Sequence, residues 1–172
     1  MHRIEPADLD LRPFHLLDRE WALLVGGGAR PNPMTVSWGG LGTLWRKPVA
    51  TVYVRPTRHT WELLNEHPEF TLNVLPPELK PALDLCGSRS GRDTDKWLAA
   101  GLRPEPSTAV SVPRVAGAIL SLECRVLATL DFDPARFLDA GIAALYPAQD
   151  YHRLFFGEVL AAWRADAAGR RT

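Results

Sequence analysis

The sequence predicts a mainly β fold with short helices, its strands closing into a β-barrel with the helices on the rim. Three observations predict it. Six or more strand-like runs, rich in β-branched and aromatic residues, are separated by proline and glycine. The three or four helical runs between them are short. Strand and helix alternate too irregularly for a doubly wound parallel sheet, so antiparallel pairing with closure is the better solution. A length of 172 residues suits one domain with a full core, and residues 1–172 are read as a single domain.

Residues 1–20 mix proline, acids and leucine without a sustained period, an entry segment with one short strand or turn near 14–17. Trp21–Val25 is a short apolar run. Gly26, Gly27 and Gly28 break it, and Ala29, Arg30 and Pro31 complete the turn of a hairpin. Met34–Trp38 is a strand, the glycines at 39, 40 and 42 form a flexible loop, and Val49–Val54 is a β-branched strand. His59–His67 is a helix with Trp61, Leu63 and Leu64 on its apolar face, stopped by Pro68. Glu69–Leu75 places Phe70, Leu72 and Val74 on one face of a strand.

After Pro76 and Pro77, Glu78–Leu85 is a helix. Its Pro81 falls early, where a missing N–H is tolerated. A polar loop from Cys86 leads to a helix over Asp93–Ala100, capped by Asp93 or Thr94 and ended by Gly101. Residues 102–116 hold short edge pieces, and Ala118–Phe132 is the longest strand signal. Residues 134–145 read as a helix with Pro134 in its first turn. Arg153–Trp163 is the final strand, interrupted by Gly157, and from Arg164 a polar tail (164–172) frays.

Composition excludes several classes. Lysine plus arginine and aspartate plus glutamate each number 20, so the formal net charge is zero, against the basic excess of a general nucleic-acid binder. No apolar run is long enough to span a bilayer, and Met1–Pro6 lacks the apolar region of a signal peptide, which makes a cytoplasmic location the expectation. The two cysteines, Cys86 and Cys124, lie far apart, show no zinc spacing and read as buried reduced thiols. The five histidines show no close metal spacing. Gly26-Gly27-Gly28 has Pro31 where a dinucleotide fingerprint needs its third glycine, and Gly40-Leu41-Gly42 continues to Trp45. Asp131 and Asp133 read as solvated turn carboxylates rather than an acid pair.

Two loops share a positive character. Arg55, Arg58 and Thr60 stand at the start of a helix, where free N–H groups and the helix dipole favour an oxyanion. Ser88, Ser90, Gly91 and Arg92 offer a guanidinium fork beside serine and glycine N–H groups that suit an anion nest. Lys96 follows Asp93 and Asp95 and reads as a helix-surface ion pair. Of six tryptophans, Trp21, Trp61, Trp97 and Trp163 are read as core. Trp38 and Trp45 bracket the glycine loop and are candidates to line a flat aromatic ligand.

Four segments, Asn32–Gly42, Val54–Thr60, Cys86–Lys96 and His152–Glu158, together resemble the flavin reductase-like, FMN-binding split-barrel family, closest to its flavoredoxin-type members. They occur in the family's order and cover nearly the whole chain. The resemblance implies a Greek-key split barrel, homodimeric, with FMN at the subunit interface. It places Met34, Thr35, Val36, Ser37 and Trp38 along the isoalloxazine ring, and Arg55, Arg58 and Thr60 on ribityl and phosphate oxygens. Ser88, Ser90, Gly91, Arg92 and Lys96 resemble the family's second phosphate-side loop, and His152 would approach the ring from the C-terminal segment. The implied activity is an FMN-dependent oxidoreductase taking a hydride from NAD(P)H and passing electrons to an acceptor, with no acid–base pair in the protein. The alternative is an FMN-binding electron carrier without NAD(P)H turnover. A flavin-free scaffold and an oxidase related to the pyridoxamine-phosphate oxidase barrels are further rivals, since fold alone does not decide function.

Overall fold

One antiparallel sheet of eight strands organises the chain, and the computed structural model describes residues 1–166. Its strands are β1 (His2–Ile4), β2 (Ala22–Gly26), β3 (Asn32–Val36), β4 (Gly39–Leu44), β5 (Lys47–Val54), β6 (Glu69–Val74), β9 (Leu120–Asp131) and β10 (Arg153–Arg164). A two-stranded ribbon, β7 (Pro104–Glu105) with β8 (Arg114–Val115), stands apart. The order is β3-β2-β6-β9-β10-β5-β4, with β1 added to β10. The twelve-residue β10 takes β5 along residues 153–158 and β1 along 162–164, so the sheet forks there.

The sheet is strongly curled. β3 and β4 are its two edges, yet Met34 and Val36 of β3 share one core cluster with Val52 of β5, and Leu41 of β4 packs against that cluster. In a flat sheet those edges would lie about 29 Å apart. Only Ser37 and Trp38 link β3 to β4 in the chain, and no ladder joins the two edges among the described residues. A second cluster, built from Leu23 and Val25 of β2, Val112 and Val115, packs under α3 (Lys80–Ser88). Gly157 sits at a bulge in β10, where the Phe70 ring occupies the space a Cβ would need.

The strands read from the sequence are present with shifts of a few residues, and so are α2 (His59–Glu66) and α3, which a 3-10 turn at Pro77–Leu79 precedes. Other expectations are refined or corrected. Of the strand or turn expected at 14–17, the structure shows the turn: α1 (Pro13–His15) runs into a π turn (Leu16–Glu20) that buries Leu16 and Leu17 in the core. The glycine stretch at 39–42 is strand β4, not a loop: its whole length pairs with β5, and tertiary pairing overrides weak β-propensity. Trp45 and Arg46 form the hairpin's two-residue turn with φ of 52° and 61°, the left-handed values such turns require.

Residues 134–145 keep only 3-10 turns at Pro134–Arg136 and Ala143–Leu145. Phe137 holds that segment through its contacts with Phe132, Tyr146 and Tyr151, whereas Leu138 is fully exposed, so no helical apolar stripe is buried. The cap of α4 (Lys96–Ala99) is Asp95, whose carboxylate accepts from the N–H groups of Trp97 and Leu98, rather than Asp93 or Thr94. Arg164 belongs to β10, and the rest of the tail expectation, at 167–172, lies outside the described residues.

Candidate functional site

Two joined clefts open where edge strand β3 meets the start of α2. The first, about 270 Å³, is lined by Met34, Thr35, Val36, Ser37 and Trp38 with Tyr53, Arg55, Arg58 and His152. The second, about 150 Å³, is lined by Asn32, Thr57, Thr60, Ser88, Ser90, Gly91, Arg92 and Lys96 among others. Met34 and Arg58 line both, which makes the two continuous. All fourteen residues that the resemblance places near the cofactor, His152 included, therefore lie along one surface.

β3 contributes mainly backbone. The Met34 and Val36 side chains are buried in the core, and the Thr35 hydroxyl donates to the Leu83 carbonyl of α3 at 2.5 Å. One side of the strand pairs with β2; on the other the Pro33 carbonyl accepts from Lys96, and no strand pairs with the backbone groups after it among the described residues. Trp38 stands exposed at the strand's end with its ring 5.2 Å from that of His152. Trp45 does not line the cleft. It is 59% exposed at the β4–β5 turn and packs edge-on against Phe156. The four tryptophans read as core are each only partly buried: Trp21, Trp61 and Trp97 pack at its margin, and Trp163 packs against Arg114.

The second cleft is cationic. Lys96 is 3% exposed, and its Nζ donates to the carbonyls of Pro33 and Cys86 at 3.0 Å each. Its expected surface ion pair does not exist: Asp95 is occupied as a cap, and no carboxylate reaches Lys96 among the described residues. Burial pushes the ammonium down to about 8, with the Arg58 charge adding to the effect. Burial also raises the Cys86 thiol to about 11, so it stays protonated and supplies no counter-charge. Arg58 donates to the Gly87 carbonyl at 2.6 Å and has no carboxylate partner among the described residues. Burial, then the charge of Arg55, lower its pKa.

Arg92 is more exposed and bridges Glu62 at 2.6 Å and the Thr57 carbonyl at 3.2 Å. Thr60, fully buried, accepts from the Asn32 amide at 2.9 Å. Gly91 lies so close to the Asn32 side chain that a Cβ would overlap it, so only glycine brings the 88–92 loop against that wall. The Ser90 hydroxyl accepts from the Arg92 N–H, while the Ser88 hydroxyl turns back to Asp84 and Leu85 carbonyls in its own helix.

The far wall of the first cleft is built by Arg55. Its guanidinium donates to Asp150 at 2.6 Å and to the Leu145 carbonyl at 3.0 Å, and lies 4.8 Å from the centre of the Tyr146 ring. That pins residues 145–152 and leaves Arg55 partly committed before any ligand arrives. The Tyr146 hydroxyl meets His152 Nδ1 at 2.8 Å. Burial, helped by Arg55 and opposed by Asp150, holds His152 down to about 4, so it is neutral at pH 7. Sequence reasoning missed Asn32, Tyr53 and Tyr146.

Two buried or half-buried cations without a carboxylate, beside hydroxyls and a close backbone loop, fit a dianionic phosphate. An edge strand with free amide groups beside exposed Trp38 fits the polar rim and face of a planar ring. The described residues thus fit FMN. Lys96 also makes a phosphate dependent on pH. Its folded value lies below its ordinary one, so it loses its charge as pH rises through about 8. FMN affinity should be greatest between pH 6.5 and 8 and should fall above about 8, where the ammonium is lost. Titration of flavin fluorescence from pH 6.5 to 9.5 checks this, and the step should vanish in Lys96→Met.

An uncharacterised protein of Pyrococcus abyssi is 27% identical over 144 residues, covering 83% of this chain and 72% of that one. Among solved structures, flavoredoxin of Desulfovibrio vulgaris superposes with a TM-score of 0.69 at 22% identity, covering 88% of this chain and 72% of its own. The FMN-binding protein of Thermus thermophilus with bound p-hydroxybenzaldehyde gives 0.68 at 25% identity, covering 95% and 81%. The NADH:FAD oxidoreductase SgcE6 of Streptomyces globisporus gives 0.65 at 20%, covering 85% and 75%. Residues 21–171 match the model of the flavin reductase like domain, and the chain belongs to that family.

Proposed function

We propose that this protein is an FMN-dependent oxidoreductase that takes a hydride from NAD(P)H and hands electrons to a small-molecule acceptor or a second flavin. The observation that carries the reading is the continuity of an amide-edged cleft beside Trp38 with a pocket where Lys96 and Arg58 lack a carboxylate. Membership of the flavin reductase like family supports a flavin, and likeness to an NADH:FAD oxidoreductase and to an FMN-binding protein supports the finer assignment.

When bound, FMN would supply the ring that accepts and releases the hydride. Lys96, Arg58, Arg92 and Thr60 would hold its phosphate, with Ser90 and Gly91 closing the loop over it. The β3 backbone would orient the ring, and Arg55, Tyr53 and His152 would bound the open side where nicotinamide or acceptor stacks. With His152 neutral, orientation and electrostatics rather than proton exchange are the protein's contribution. We also assign a homodimer, in which a second copy covers the exposed cleft mouth at Trp38, and a cytoplasmic location. No described helix is long and apolar enough to cross a membrane.

The test is the visible spectrum of the purified protein, before and after FMN and then NADH or NADPH. Flavin bands that bleach on adding nicotinamide are expected, from a species with dimer mass in light scattering. Bound flavin that stays oxidised would favour the electron-carrier reading. A protein that takes up no flavin, or a monomer at micromolar concentration, would overturn the flavin and the dimer respectively.

A further inference from the structure

The wall formed by residues 145–152 carries a contact that the cofactor assignment leaves unused. Tyr146 is 4% exposed, and its hydroxyl has one protein partner among the described residues, His152 Nδ1 at 2.8 Å. A buried phenol must place its proton on an acceptor or lose the hydrogen bond it made in water. If Nδ1 carried the imidazole proton and donated to the phenol oxygen, the O–H would have no acceptor. If the phenol donates to Nδ1, both groups are satisfied and the imidazole proton resides on Nε2. Nε2 has no protein partner among the described residues. It is not sealed off, because Trp61 Nε1 is the one unpartnered buried side-chain nitrogen or oxygen found among them. His152 lines the first cleft, and with Nδ1 taken by Tyr146 we infer that Nε2 is the ring nitrogen available to a ligand there.

We propose that Tyr146 is a positioning residue: it holds His152 as the tautomer with its proton on Nε2, so that the cleft wall offers one neutral N–H donor to a lone pair of the bound ligand. The hydroxyl is itself held in place. The Tyr146 ring packs on Phe137 and Tyr151, and Arg55 lies over it while clamped to Asp150. The charged and titratable groups around the imidazole are thus Arg55 and Asp150, which pair with each other, and Tyr146. Burial keeps the ring neutral at working pH, so the donor is an imidazole and not an imidazolium. No proton needs to leave it. The ligand class this wall selects is one presenting an acceptor-only atom, a carbonyl oxygen or an unprotonated ring nitrogen, toward His152. That the lone pair belongs to FMN rests on the proposed function, whereas the tautomer rests on the contacts alone.

Nitrogen-15 NMR of the histidine rings in the full chain at pH 7 tests both halves, with the His152 signals assigned by their loss in His152→Gln. The expected spectrum has Nε2 protonated and Nδ1 unprotonated. The reverse pattern, or an averaged one, would overturn the tautomer. In Tyr146→Phe, which keeps the ring packing, the two nitrogens should average. An unchanged pattern there would overturn the role of Tyr146, and the native spectrum tests the tautomer whatever that variant does. Adding FMN should shift Nε2 by more than any other histidine nitrogen. FMN that binds without moving it would overturn the ligand half. FMN that fails to bind would sink the proposed function while leaving the tautomer to the first spectrum.

Discussion

Replacing Arg58 and Arg92 together by alanine should weaken FMN binding by about 2–5 kcal/mol, roughly 30- to 5,000-fold at 25 °C. The two arginines will not share that loss equally. Arg58 is half-buried, donates only to a carbonyl and has no carboxylate to neutralise it. A phosphate would be its first counter-charge, in surroundings that screen little. Arg92 is exposed, already bridged to Glu62, and must exchange that partner for the phosphate, so its net contribution is small. Arg58→Ala alone should therefore carry most of the effect, and Arg92→Ala alone should cost well under tenfold. Fluorescence titration of FMN against the three variants resolves this. Unchanged affinity in the double variant would remove the phosphate from this pocket.

Glu123→Ala should destabilise the fold by about 3–5 kcal/mol, as breaking a buried, hydrogen-bonded ion pair does. Glu123 on β9 is 0% exposed. One carboxylate oxygen accepts from the N–H groups of Thr108 and Ala109 at 3.0 and 2.6 Å and from the Thr108 hydroxyl at 3.3 Å. The other accepts from Trp163 Nε1 at 2.7 Å and lies 3.4 Å from buried Arg114. Truncation leaves those donors without an acceptor and Arg114 with the Pro106 carbonyl and one exposed carboxylate, Glu105, among the described residues. Glu123→Gln keeps the shape but turns an amide N–H₂ toward groups that are themselves donors, so it should not rescue fully. Urea denaturation with an unchanged slope measures the loss. A cost below about 1 kcal/mol, typical of ordinary surface positions, would show that the network is dispensable.

Much of this molecule was legible because its strands advertise themselves. Phe70, Leu72 and Val74 alternate, and β5 carries the β-branched residues Val49, Thr51, Val52 and Val54. The arginine and serine loops were readable as an anion site because residue type and helix start agree, and the structure brings both loops to one cleft. What failed depended on distant partners. β4 has three glycines and becomes a strand only because β5 lies beside it. Lys96 follows Asp93 and Asp95 in sequence, but α4 turns it inward beneath Pro33 and Cys86 while Asp95 is spent on the cap. The 134–145 segment has helical composition but anchors through Phe137 and Tyr146 onto other aromatics. Tyr146 and Asn32 act through one long- or medium-range hydrogen bond each, which no local pattern announces.

The forked pairing of β10 has a consequence for how the chain reaches this structure. β9, β5 and β1 all hydrogen-bond to it, and His2 finds Arg164 across nearly the whole sequence. During synthesis, the first 150 residues can form the β2–β3 and β4–β5 hairpins but cannot join the two halves of the sheet. The edges of β5 and β9 that will flank β10 must wait unpaired until that last strand leaves the ribosome. Folding is therefore dominated by non-local closure and belongs to the millisecond-to-second regime rather than the microsecond one. In that interval the nascent chain presents two bare strand edges, a template for a neighbouring copy, so arrest before Arg153 exposes it to aggregation.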